Sequence, residues 1–378
     1  MDKRPRFSVA CYSGLFDPFT RGHVNIVIRT LKCCDRIVIA VENPSHKKCT
    51  FTVEERVAMA EKAINDFINL NCGPTQYRRE IAERIKEDPS IIKVVPIDGE
   101  VVDTAIRHGA NIMVRGIRNE YDQHVEEELM DQILLQFRIR NYPITENQYE
   151  ITNTNGEVVH MSSTVTKDFC ECREYIAALH HLTPSVHNMI MSYYLETPFS
   201  KLACGIGLWS KVKKIYLSRA VHNFTRVAYM LNRLQIERKI NRVDCRMNAL
   251  RMAMMFCHIC STPQESAEWV EKHLQISQEN KDRVKKLILL TDYSKIPLKE
   301  ELDVEARTML RCCLLLLTDK ENYPLYLRQM RVESGKQVPV GYFENIVDPL
   351  EYLENTGIFT DYELGLVKAN FTDLSKKK

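Results

Sequence analysis

Apolar residues follow two different rhythms along this chain. In the first half, short β-branched and aromatic runs at 9–12, 36–42, 91–97 and 111–114 alternate with longer stretches at 23–32, 53–68, 101–108 and 120–138. The short runs have the length and composition of buried strands, and the longer ones repeat every three or four residues as amphipathic helices do. This alternation predicts an α/β fold, a Rossmann-like parallel sheet covered on both faces. Residues 72–88 carry a charged, helix-patterned insertion expected at the surface, and 149–160 alternates around Asn155-Gly156, predicting a hairpin with a type I′ turn. From about residue 215 only the helical period remains, in 221–234, 248–259, 265–274, 281–290, 306–318 and 323–332. An all-α helical domain is therefore expected at 215–378, after an α/β domain at 1–196 and a linker at 197–214.

In open parallel sheets, ligands bind beyond the carboxyl ends of the strands. Three chemistry-bearing segments fall there: 14–23 after the first run, 43–48 after the second, and Arg115-Gly116 after the fourth. In the first of these, a strand stops at Gly14, turns through Asp17-Pro18 and restarts as a helix at Gly22-His23. Backbone N–H groups, a helix N-terminus and an imidazole then meet at one point, as a polyphosphate requires. An ordinary strand–turn–helix connection whose histidine only caps the helix has the same pattern.

Composition narrows the class rather than the chemistry. With 378 residues, two domains or three are expected, and 44% apolar with 27% charged content fits a globular protein with ample core. A formal net charge of +2 gives no sign of a nucleic-acid or membrane partner. The first strand run begins close to Met1, so no cleavable signal is expected. Thirteen cysteines, an odd number without regular spacing, read as reduced thiols, and a cytoplasmic location is the expectation.

The first half resembles bacterial-type phosphopantetheine adenylyltransferase, of the Thr/His-x-Gly-His nucleotidyltransferase superfamily. The resemblance covers about residues 6–195 in five ordered blocks. These are Gly14-Leu15-Phe16-Asp17-Pro18 with Thr20-Arg21-Gly22-His23; Asn43-Pro44-Ser45-His46-Lys47-Lys48 with Phe51-Thr52-Val53-Glu54-Glu55-Arg56; Val114-Arg115-Gly116-Ile117-Arg118; the acidic helix with Glu126; and Met161-Ser162-Ser163-Thr164-Val165-Thr166-Lys167. The resemblance implies transfer of AMP from ATP to 4′-phosphopantetheine, with Mg²⁺ accompanying the pyrophosphate. It assigns catalysis to His23, Lys47 and Arg115. ATP binding would fall to Phe16, Gly22, His23, Gly116, Arg118, Glu126, Ser162, Ser163 and Thr164, and acceptor binding to Leu15, Lys47, Val101 and Arg115. Assembly into a homo-oligomer is also implied. Each residue has a plainer alternative. Lys47 and Lys48 fit a solvated loop, Arg115 and Arg118 fit ion pairs with the 126–128 acidic run, and Ser162–Thr164 fits an N-cap.

The sequence departs from the family pattern at the acceptor side. Leu15 stands where the family has a threonine beside the reacting phosphates, His46 is an extra residue before Lys47, and Ile133 replaces an asparagine. A hydrogen bond to a charged group is worth about 1.5–3 kcal/mol, or roughly one to two decades in rate. Leu15 also adds bulk. The helical half resembles, more faintly, HD-type phosphohydrolases, with 219–224, 255–260 and 315–331 in the places of that family's ligand-bearing helices. Its ligand set is broken, for Cys257-His258 stands where His-Asp is needed and no His-Asp dipeptide occurs. Cys257-x-x-Cys260 has no second pair at zinc spacing, so no protein-bound metal is expected in this half. It is read instead as a packing, oligomerising or partner-binding domain. Three functions therefore compete: the adenylyltransferase, a non-catalytic scaffold or regulator that keeps nucleotide binding, and a related transferase with another phosphorylated acceptor.

Overall fold

The computed structural model describes residues 7–44, 47–70, 75–117, 140–145, 161–202, 206–241, 247–294, 297, 302–335, 338 and 348–376. The expected helix at 120–138 and hairpin at 149–160 lie outside them, as do Arg118, Glu126 and Ile133. Contacts divide the chain into two compact units, 1–172 with 177–187, and 173–176 with 188–378.

In the first unit, β1 (Phe7–Gly14), β2 (Cys34–Val41), β3 (Ile92–Pro96), β4 (Ile112–Ile117) and β5 (Arg140–Thr145) form one sheet in the order β3-β2-β1-β4-β5. Every pairing is parallel, with Gly14 beside Val41 and Tyr12 beside Val114. The strand order reverses between β1 and β4, which places a topological switch point at their carboxyl ends. Helices α1 (Arg21–Thr30), α2 (Val53–Asn69), α3 (Gln76–Glu87), α4 (Val101–Arg107) and α5 (Ser163–Glu171) accompany the sheet. Cys11, Val38, Ala40, Val95 and Met113 pack with Val102 and Ala105 of α4, and Val101 joins the edge of that cluster.

Two findings correct the expectations for this unit. β5 escaped the sequence pattern because Arg140, Asn141 and Pro143 leave it no continuous apolar run; at the edge of the described sheet, a residue without an N–H is tolerated. The charged insertion at 72–88 is also more than surface decoration. Its helix α3 buries Ile81, Ala82 and Ile85, and Arg84 donates to the carbonyls of Leu31, Cys34 and Asp35 between α1 and β2.

The second unit has no strand among its described residues. Helix α6 (Tyr175–His181), most of it in the first unit, and α7 (Pro184–Tyr194), which belongs to the second unit from Asn188 on, are followed by α8 (Glu196–Leu202), α9 (Ile206–Leu217), α10 (Phe224–Asn241), α11 (Met247–Phe256), α12 (Pro263–His273), α13 (Gln278–Leu289), α14 (Val304–Leu314), α15 (Asn322–Ser334), α16 (Pro349–Thr356) and α17 (Asp361–Lys376). The segment expected as a linker is mostly helical, because Phe199 and Trp209 need burial. Their rings, 4.8 Å apart, join Phe224 and Phe256 in an aromatic core. Arg311 of α14 binds the carboxylates of Glu237 on α10 at 2.9 Å and Glu363 on α17 at 2.8 Å. No helix among the described residues is long and apolar enough to cross a membrane.

Candidate functional site

The carboxyl edge of the sheet is organised by a buried arginine. Arg56 is 0% exposed and lies on the apolar stripe of α2 with Met59, Ala60, Ala63 and Ile64. Its guanidinium donates to Leu15 O at 2.5 Å, Glu42 O at 2.6 Å, Phe51 O at 3.1 Å and Asn43 Oδ1 at 3.2 Å. Carbonyl dipoles converge on the fixed donor fork, so the loop after β1 is clamped to the loop after β2. Arg56 appears in the sequence motif without a role. A cation recurring with helical period among apolar residues was its signal.

His23 sits in the first turn of α1. Its Nδ1 accepts the Thr20 N–H at 2.9 Å, with the Thr20 hydroxyl 3.3 Å from the same nitrogen. An Nδ1 that accepts a backbone N–H leaves the ring proton on Nε2, so His23 is a neutral donor through Nε2. It therefore caps the helix and presents an N–H as well. Phe16 and Phe19 hold the ring at centroid distances of 5.0 and 5.2 Å. Phe16 is itself buried in the left-handed region at φ 52°, which costs a non-glycine residue about 1–2 kcal/mol. Its ring folds back over Gly14, where an added Cβ would lie 2.9 Å from Phe16 Cε1. A Gly14→Ala variant should lose about 1–3 kcal/mol of stability as the ring is displaced, read as a lower Tm by scanning calorimetry. Gly22, also buried, lies against Met161 at the start of α1, with Met161 Cβ 3.4 Å from the position a Cβ would take, an ordinary contact.

Arg115, near the end of β4, donates to Ser13 Oγ at 2.8 Å and lies 3.6 Å from Glu42 Oε1. Glu42, the residue that follows β2, is thus an ionic partner of Arg115 among the described residues. At Gly116 a Cβ would lie 2.5 Å from Ile26 Cδ1, so α1 packing already favours glycine there. Lys47 is exposed in the loop after β2, and Leu15 is half-buried just past β1. Val101 opens α4, half-buried against the core.

The start of α5 lies beside the start of α1. Ser163 Oγ donates to Pro18 O at 2.8 Å. Ser162 occupies the N-cap position without a side-chain capping bond, and its carbonyl accepts the Thr166 hydroxyl at 2.7 Å. Thr164 is exposed in the first turn. One turn on, Lys167 Nζ meets Asp17 Oδ2 at 2.8 Å. Burial pushes the Asp17 carboxyl up, but the Lys167 bond and the Thr50 and Phe51 amides prevail and hold it below the ordinary range. Behind Thr166 lies His181, buried, with Nδ1 3.2 Å from Thr166 Oγ1. Asp17, Lys167 and His181 had no role assigned from sequence. Their partners are distant in the chain.

In the second unit, His222 and His258 stack at 4.4 Å with an interplanar angle of 9°, and Arg219 donates to the His258 and Ile259 carbonyls. The segments 219–224 and 255–260 therefore do meet. Cys257 is buried with Sγ donating to Met254 O at 3.6 Å, and no group of three or more His, Cys, Asp or Glu able to hold a metal occurs among the described residues.

Residues 11–168 match a family model described as cytidylyltransferase-like. Phosphopantetheine adenylyltransferase of Brucella ovis is 30% identical over 122 residues, which is 32% of this chain and 64% of that protein. The Francisella philomiragia protein of the same name is 36% identical over 121 residues, 32% of this chain and 61% of its own. The chain thus spans less than two thirds of the length of these relatives. Among solved structures, a Plasmodium falciparum nicotinic acid mononucleotide adenylyltransferase complexed with NaAD aligns over 50% of this chain and 97% of its own, at 15% identity and a TM-score of 0.34. NadR protein in complex with NAD and AMP-PNP aligns over 95% and 99%, at 12% identity and a TM-score of 0.30. The span matched by the cytidylyltransferase-like model is less than half of the chain and coincides with the parallel sheet and its switch point.

Proposed function

We propose that the α/β unit transfers AMP from ATP to 4′-phosphopantetheine, giving dephospho-coenzyme A and pyrophosphate. The observation that carries this reading is the His23 ring. Its Nδ1 is occupied by the Thr20 N–H, which leaves the Nε2–H as a fixed donor at the start of α1. In the reaction, an oxygen of the acceptor's phosphate attacks the α-phosphorus of ATP in line while the bond to the β-phosphate breaks and pyrophosphate leaves. No proton needs to move and no covalent enzyme intermediate forms, so catalysis consists of alignment and charge neutralisation. His23 would donate to the α-phosphate oxygens as charge builds there. Arg115 and Lys47 would attract the attacking phosphate, Arg115 exchanging Glu42 for it. The first-turn N–H groups of α5, with Ser162–Thr164, would receive the triphosphate. Arg118 and Glu126 are assigned to the nucleotide by the sequence resemblance alone. Mg²⁺ fits as part of the substrate, MgATP, because the site's carboxylates Asp17 and Glu42 already face Lys167 and Arg115.

A second reading is a nucleotide-binding protein without turnover. Leu15 at the acceptor side and the Arg115–Glu42 pair favour it. Pyrophosphate release from MgATP and 4′-phosphopantetheine separates the two. Turnover is expected in the wild type and should rise about 10- to 100-fold in Leu15→Thr, the worth of one hydrogen bond to a charged group. Nucleotide binding without pyrophosphate from either protein would establish the second reading, and turnover on a different phosphorylated acceptor would redirect the substrate assignment.

A further inference from the structure

Asp17 is a carboxylate where anions are expected to bind. It is only 6% exposed, in the loop that runs from β1 to His23. A negative charge there opposes a triphosphate unless it is used up within the protein, and its bonds do so. Oδ2 accepts Lys167 Nζ at 2.8 Å and the Thr50 N–H at 3.0 Å, while Oδ1 accepts the Phe51 N–H at 3.1 Å. These three donors come from two segments distant in sequence. Thr50 and Phe51 end the loop that carries Lys47, and Lys167 belongs to α5, whose first turn carries Ser163 and Thr164. The Ser163 hydroxyl bond to Pro18 O tethers the same helix one residue further along the loop.

We propose that Asp17 is a positioning residue: through Lys167 and the 50–51 amides it fixes the start of α5 and the Lys47 loop against the loop that leads to His23, and so sets affinity for the nucleotide's triphosphate. This rests on the nucleotide-site reading above. A part-buried, charge-assisted contact between groups 150 residues apart is strong enough to fix geometry and short enough to be specific. Asp17 touches no substrate in this role. Lys167, its charge committed to Asp17, supports the phosphate-binding turn without serving as a ligand itself.

The test uses the full chain and MgATP as the probe, with affinity by titration calorimetry and backbone amide exchange measured without nucleotide. Asp17→Asn and Lys167→Met should each weaken MgATP binding about tenfold, the scale of one lost charge-assisted bond. The double variant should be no weaker than the worse single, because the two residues act as one unit. Lys167→Arg should recover most of the affinity, which a general loss of stability would not. Amide exchange at 162–166 should quicken in Asp17→Asn while the sheet strands keep their protection. If Asp17→Asn binds MgATP as tightly as the wild type or tighter, Lys167 acts on the nucleotide directly and the proposal is overturned. Unchanged exchange at 162–166 in both single variants overturns it equally. A wild type that binds no MgATP defeats the nucleotide-site reading instead, and the exchange comparison still decides whether Asp17 positions α5.

Discussion

His23→Ala should lower kcat for nucleotidyl transfer about 10²–10³-fold, the usual consequence of removing one donor that meets developing negative charge. The same change removes the bond from Thr20 N–H to Nδ1, worth about 1 kcal/mol as a helix cap. The two effects can be separated. His23→Asn keeps a short side-chain oxygen able to take the Thr20 N–H but cannot place a donor where Nε2 stands. It should therefore retain most of the thermal stability that alanine loses while being as slow as alanine in single-turnover measurements. Turnover in His23→Asn within a few-fold of wild type would show that the ring serves the helix and not the chemistry.

The largest effect on stability is expected at Arg56. Arg56→Met fills much of the same volume but leaves Leu15 O, Glu42 O and Phe51 O without their guanidinium donors. Each buried unpaired acceptor costs about 1–3 kcal/mol, offset in part because a charge no longer has to be desolvated. A net loss of about 3–5 kcal/mol, as when one partner of a buried charged interaction is removed, is the expected outcome in urea unfolding. Arg56→Lys should fall between, since an ammonium has three donors and no planar fork. A methionine variant as stable as the wild type would show that the two loops hold together without the clamp.

Much of this architecture was legible from period alone. The runs at 9–12, 36–42, 91–97 and 111–114 all lie in or against strands; those in β1, β2 and β4 are nearly continuous because residues buried on both faces of a parallel sheet are apolar, while edge strand β3 exposes Lys93. Where the reading failed, local signals competed with tertiary demand. Pro143 argued against a strand that an edge position permits, and Pro198 and Gly207 suggested a linker where Phe199 and Trp209 anchor helices. The same division holds at the site. His23 was legible because its helix start and glycine are adjacent in sequence. The Asp17–Lys167 pair was not, because the two residues lie 150 apart in the chain; for Arg56 the helical period marks a buried cation, but not that Leu15, 41 residues away, is one of its partners.

The strand order also governs how the α/β unit is assembled. β1 occupies the middle of the sheet, yet its neighbour β4 is separated from it by about a hundred residues, Val9 O bonding Asn111 N across that span. On a ribosome, β1, β2 and β3 can associate while one flank of the central strand still has no partner, and a long loop must close before β4 covers it. Until then the half-built sheet presents an open row of N–H and C=O groups, the state in which a nascent chain is most exposed to mispairing.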